Sequence, residues 1–142
     1  RNRAEAAGIL VVTGTYAGGF VEACGYDLDN SDDISKCDLG SGDTPPQPAE
    51  QALFVPAFGR TAAEEYERGD YGYHYFAAGG PLAAVPYAAG VLALGWQVKP
   101  ELSADQMKEL LVKSAYVTED GWKVINPTEF IGLVKNAKAA AQ

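Results

Sequence analysis

Gly79-Gly80-Pro81-Leu82-Ala83-Ala84-Val85-Pro86-Tyr87-Ala88-Ala89-Gly90 is the stretch on which the reading of this chain turns. The paired glycines mark a turn. Pro81 follows, at a position where a helix starts without needing a donor. From Leu82 to about Gln97 nearly every residue is apolar or small. Leu82, Val85, Ala88, Ala89, Leu92, Ala93 and Trp96 wrap most of the circumference, so the spacing predicts a central helix buried nearly all round. Ala83, Ala84, Gly90 and their like let neighbouring backbones come close. Pro86 falls near the first turn, where its missing N–H costs least.

Working downstream, two further helices announce themselves by their caps. Ser103 and Gln106 form a capping box, and Leu102 can staple to Met107. The apolar face that follows is Met107, Leu110 and Leu111. Asn126 caps the last helix, Pro127 takes its first position, Glu129 closes a second box and Ile125 can staple to Phe130. Trp122-Lys123-Val124-Ile125 reads as a short strand after the Asp120-Gly121 turn.

Upstream, Tyr71-Gly72-Tyr73-His74-Tyr75-Phe76 reads as an aromatic strand, preceded by a polar stretch from Thr61 to the Gly69-Asp70 turn. Ala52 to Ala57 is a short strand that Pro56 places at a sheet edge or a bend. Ile9-Leu10-Val11-Val12-Thr13 is an uninterrupted apolar run suited to a parallel strand covered on both faces. Residues 1–7 look like the end of a helix. Between 14 and 51 periodicity disappears, which predicts a long irregular loop, stiffest at Thr44-Pro45-Pro46-Gln47-Pro48. Strands alternating with helices in this order predict an α/β layered architecture, with residues 1–142 as a single domain or part of one.

Composition narrows function. The chain is 47% hydrophobic, enough for a core, and carries a net charge of −8. No cluster of Lys and Arg is available for phosphates, which argues against nucleic acid. No apolar run reaches about 18 residues, which argues against a membrane span. Cys24 and Cys37 either pair or stay free. Two cysteines make no zinc site alone, and no CxxC is present.

The quoted stretch, read with what flanks it, resembles the nucleophile segment of subtilisin-like serine peptidases, Gly-Thr-Ser-Met-Ala-x-Pro-x-Val-Ala-Gly. Leu102 to Leu111 is similar to that family's helix after the nucleophile, and Gly121 to Pro127 to its closing segment. Gly8 to Val12 and Leu53 to Ala57 look like two of its strands. The resemblance implies a subtilisin-like three-layer fold, a parallel sheet flanked by helices, of which this chain is the C-terminal part. It also implies that the chemistry is gone. Pro86 and Gly90 fix a register in which the family's serine falls on Leu82. The oxyanion asparagine falls near Ala17, and the family's Asp and His lie upstream. A serine peptidase needs an activated oxygen, a base and oxyanion donors. Neither Leu82 nor Ala17 supplies one, so no triad is intact in this chain.

Other candidates are fewer. His74 lies between two tyrosines, with no visible catalytic partner. Asp27-Leu28-Asp29-Asn30-Ser31-Asp32-Asp33 places oxygens at alternate positions, making Asp27, Asp29 and Asp32 weak calcium candidates. Asp32 stands where such a loop wants glycine, and Asp38 where it wants Glu. No other cofactor is implied. Three functions follow as expectations: an inactive peptidase scaffold that binds a peptide or protein, a piece of a true endopeptidase with a substituted nucleophile, and an unrelated α/β interaction domain. A half-domain exposes a strand edge and an apolar helix face. The partner is therefore expected to be a peptide, a protein, the upstream half of the same domain or a second copy.

Overall fold

Phe54 and Phe130, both below 2% exposed, lie on opposite sides of one small sheet, and the fold is best followed from that sheet outward. In the computed structural model the described residues are 2–25, 27, 29–30, 33–37, 52–77 and 79–138. Four strands form the sheet in the order β1-β2-β6-β5. These are β1 (Val21–Cys24), β2 (Leu53–Pro56), β5 (Tyr116–Val117) and β6 (Lys123–Val124). β1, β2 and β6 run parallel, whereas β5 pairs antiparallel with β6. The chain is thus a mixed α/β protein with a largely parallel sheet flanked by helices.

Alternation along the strands separates two cores. Val21, Leu53, Val55 and Ile125 face one side, where they meet Leu92, Met107, Leu111, Phe130 and Val134. Three helices supply those residues: α2 (Pro81–Val98), α3 (Ala104–Lys113) and α4 (Pro127–Asn136). α2 lies against β1 and β2 and packs on α4, while α3 braces both helices. Gly95 makes the α2–α4 contact possible, because a Cβ there would stand 2.6 Å from the Phe130 ring. Cys24, Phe54 and Val124 face the other side. There Ile34, Cys37 and Trp122 cover them, with Trp122 edge-on to Phe54 at a centroid distance of 5.1 Å. A disulfide joins Cys24 to Cys37, with Cα atoms 6.1 Å apart. Among the described residues this second face is closed by a short 3-10 turn (Ile34–Lys36) and the disulfide, so the helical layer expected there is not seen.

The Ser103–Gln106 box forms in both directions, whereas at the last helix only the Asn126 half of the expected box is made. Ser103 Oγ accepts from Gln106 N at 3.2 Å, and Gln106 Oε1 accepts from Ser103 N at 3.1 Å. Asn126 Oδ1 accepts from Glu129 N at 3.1 Å. Leu102 and Met107, and Ile125 and Phe130, are buried in one cluster.

Three expectations change. Ile9 to Thr13 is not a strand: α1 (Asn2–Ala6) precedes it, and Thr13 O accepts from Phe20 N and Val21 N where β1 begins. β1 itself falls inside the span expected to be loop, 14–51. It is held there by a full parallel register with β2, from Val21↔Leu53 to Cys24↔Pro56. Pro56 ends β2 without loss, because pairing with β6 stops at Phe54, whose carbonyl takes Ile125 N. Finally, the polar stretch after β2 is a strand. β3 (Arg60–Glu67) pairs antiparallel with β4 (Asp70–Phe76) through a turn at Gly69, where φ is 87°. That two-stranded ribbon stands outside the main sheet. No helix among the described residues is long and apolar enough to cross a membrane.

Candidate functional site

The parallel strands β1, β2 and β6 all end on one side of the molecule, at Gly25, Ala57 and Ile125. Such a carboxyl edge is where open α/β sheets bind ligands, because the chain must leave the sheet there and the loops leave a crevice. Two cavities open at this edge, and Tyr87 of α2 lines both.

The smaller, of about 260 Å³, is walled by Asp27, Asp33 and Lys36 on one side and by Asn126 to Thr128 on the other. Its carboxylates are spent locally. Asp27 accepts from Asp29 N and from Asn30 Nδ2, both at 3.0 Å. Asp33 accepts from Ser35 N at 2.9 Å and from Ser35 Oγ at 2.6 Å. The Asn30 side chain, and then the Asp29 amide, hold the Asp27 carboxyl below the ordinary carboxylate range; Ser35 does the same for Asp33. These carboxylates brace turns. Among the described residues no group of three or more His, Cys, Asp or Glu is placed to hold a metal. Asp29 is an exposed turn residue, and Asp32 lies outside the described residues.

The larger cavity, of about 740 Å³, is mostly apolar. Ala57, Phe76, Leu82, Pro86 and Tyr87 line it, with the Gly79–Gly80 backbone across its floor. Its shape depends on a close approach: a Cβ on Gly79 would fall 1.8 Å from Ala57 O, so only glycine fits where the chain entering α2 passes the end of β2. Leu82 stands at the head of α2, beside the parallel sheet, and is 88% exposed. Pro86 has no N–H to give to the Leu82 carbonyl four residues back, so that acceptor lacks its usual helical donor at the rim.

α2 is not buried all round as its composition predicts. Ala84, Ala88, Val91 and Leu92 face the core, while Leu82, Pro86, Ala89, Gly90, Ala93 and Leu94 form an open apolar stripe continuous with the cavity. A helix whose residues are apolar on every side carries no periodicity to show which side is covered.

The parts of a serine peptidase are not assembled among the described residues. Leu82 offers no nucleophile. Ala17 sits in an exposed 3-10 turn (Thr15–Ala17) before β1. The described serines have structural tasks: Ser35 bonds Asp33, Ser103 caps α3, and Ser114 donates to Leu111 O at 2.9 Å. His74 lies on the ribbon, its Nδ1 3.6 Å from Glu64 and its ring 4.6 Å from that of Phe76. Gly79 is legible in the sequence as part of a turn, whereas Tyr87 carries no motif of its own. A lone large residue among alanines was the available signal for Tyr87.

No protein-family model matches the chain, and no curated protein matches it in sequence. The chain is similar in structure to the A-subunit of the AB5 toxin from E. coli, with a TM-score of 0.51 and 20% identity over 58% of this chain. It spans 27% of that protein's length, and at this identity the likeness shows the fold alone. The expected membership of the subtilisin-like peptidase family is corrected by these findings. No model of that family matches, and the likeness in structure is to a toxin A-subunit. The physical reason lies in the quoted stretch. A glycine turn followed by small apolar residues suits a helix packed closely on a parallel sheet, so that pattern reports packing before it reports descent.

Proposed function

We propose that this chain is an α/β interaction domain that binds an apolar segment of a peptide or protein and does not cut it. One observation carries the reading: Leu82, 88% exposed, stands at the mouth of an apolar cavity and begins the uncovered stripe of α2. Exposing a leucine and its apolar neighbours is unfavourable by about 25 cal/mol per Å² unless something covers them.

The test is binding and turnover on the same sample. Peptides selected from a displayed random library are titrated into isotope-labelled chain, and the perturbed resonances are mapped. The expected result is that they fall on Leu82, Ala83, Ala89 and Ala93, and that Leu82→Asp weakens binding about tenfold, or about 1.4 kcal/mol. Peptide hydrolysis or fluorophosphonate labelling of the unaltered chain would overturn the proposal. So would perturbations confined to residues outside α2 and the cavity.

A further inference from the structure

The β3–β4 ribbon carries a second surface. Residues directly opposite in an antiparallel pair share a face. The register Thr61↔Tyr75, Ala63↔Tyr73 and Glu65↔Tyr71 therefore sets three tyrosines in a row on one face, opposite only short or acidic neighbours. They are 51%, 80% and 72% exposed in that order. Phe76 and Ala62, which line the larger cavity, lie on the other face with His74. Apart from Thr61, which reaches the larger cavity at the far end, the tyrosine face is left open by the described residues. The main sheet and its helices close without it.

The surroundings of the tyrosines select what covers them. Glu65 shares their face and is fixed there by accepting Gly69 N at 2.9 Å. Glu67 and Asp70 pair at the tip and are exposed. Arg68 stands in the turn between them, but from Arg60 to Phe76 four carboxylates outnumber two arginines, so a second copy meets net like charge on the ribbon. An aromatic row edged with carboxylates suits guanidinium groups, which stack on rings and pair with carboxylates at once. Spacing agrees as well. The tyrosines recur every second residue, about 7 Å apart, and alternate side chains of an extended peptide have the same repeat.

We propose that the tyrosine face of the ribbon is a docking surface for an extended, arginine-bearing segment of a partner protein. Arginines at alternate positions stack on Tyr71, Tyr73 and Tyr75, and the one nearest the tip pairs with Glu65. Lysine carries the same charge but lacks the flat guanidinium, so it binds this face less well.

The probe is the capped peptide Arg-Thr-Arg-Thr-Arg, compared with versions bearing Lys or Glu in place of Arg, titrated into the full chain by NMR. The Arg peptide should shift the ring signals of all three tyrosines, the Lys peptide should bind several-fold more weakly, and the Glu peptide should not bind. Tyr73→Ala should weaken the Arg peptide about fivefold, with Tyr73→Phe restoring most of it. Tyr116→Ala, on β5 and away from the ribbon, should change nothing. Equal binding of Arg and Lys peptides with unmoved tyrosine signals would show a diffuse charge effect and overturn the proposal. Tyrosine shifts that follow protein concentration without peptide would overturn it in favour of a second copy.

Discussion

Phe54, Phe130 and Leu92 are all but removed from solvent, whereas Tyr71, Tyr73 and Tyr75 of the ribbon stand more than half exposed. The two regions adjoin in sequence and are comparably rich in large side chains, yet only one of them makes a core. In the sheet and its helices, parallel strands alternate between two covered faces, and each helix presents at least one apolar side to them. The ribbon has two strands, a glycine turn and, among the described residues, no covering layer over its tyrosines. Two strands alone are marginal in water. Where large residues are buried they account for stability. Where they are held open on a scaffold that gains little from them, recognition of a partner is the use we propose.

The largest effect that can break this comparison is in the layer. Phe130 is fully buried, with its ring against Gly95 and within the cluster that includes Met107. Phe130→Ala should destabilise the chain by about 3–5 kcal/mol, through lost burial and the cavity left behind. Chemical denaturation measures this. A cost below about 0.5 kcal/mol, within the range of ordinary surface changes, would mean that α2 and α4 do not pack as described.

How much of this was legible in the sequence divides along the same line. α3 and α4 were readable because Ser103, Gln106, Asn126 and Pro127 are local signals whose bonds are made within a few residues. β1 was not. Val21-Glu22-Ala23-Cys24 is short and includes a carboxylate, which the Thr15 hydroxyl satisfies from outside the strand. The strand exists because Leu53 to Pro56 lie beside it, a partner about thirty residues on. The apolar run at 9–13 was the better strand by composition and has no such register. β4 was readable from its aromatics, but β3, with Glu64, Glu65 and Glu67, becomes a strand only by pairing across Gly69. At the site, the position of Leu82 at the head of a helix was legible. The cavity beside it was not, because it forms where the ribbon returns past Ala57, and no local pattern encodes that return.

A smaller effect sharpens the boundary between the two regions. The Cys24–Cys37 bond closes a separation of 13 residues and ties the chain after β1 to the back of the sheet. Replacing both cysteines with alanine should cost about 3 kcal/mol, mainly by freeing the unfolded chain. The measurement is the denaturation midpoint, with native and reduced protein compared. The ribbon should not respond: the tyrosine ring signals should stay in place while the signals of Ile34 and Trp122 shift. Movement of the tyrosine signals would show that ribbon and layer are coupled and that the division drawn here is wrong.

The smallest expected effect is the most discriminating. Tyr73 is the most exposed of the row and faces only Ala63 across the ladder. The Tyr66 hydroxyl reaches its backbone carbonyl, at 3.3 Å, and not its side chain. Tyr73→Ala therefore removes a ring that touches little, and leaves the backbone bonds of the ribbon intact. Its effect on global stability should stay under about 0.5 kcal/mol, the range of surface changes away from special features. A cross-strand pair of real weight would cost up to about 1 kcal/mol, so careful denaturation curves can separate the two cases. If the loss is large, the tyrosines hold the ribbon together and the argument that they are reserved for a partner fails. If stability holds while the Arg peptide is lost, the same ring has been shown to matter for recognition and not for folding, a separation that Phe130 in the layer cannot offer.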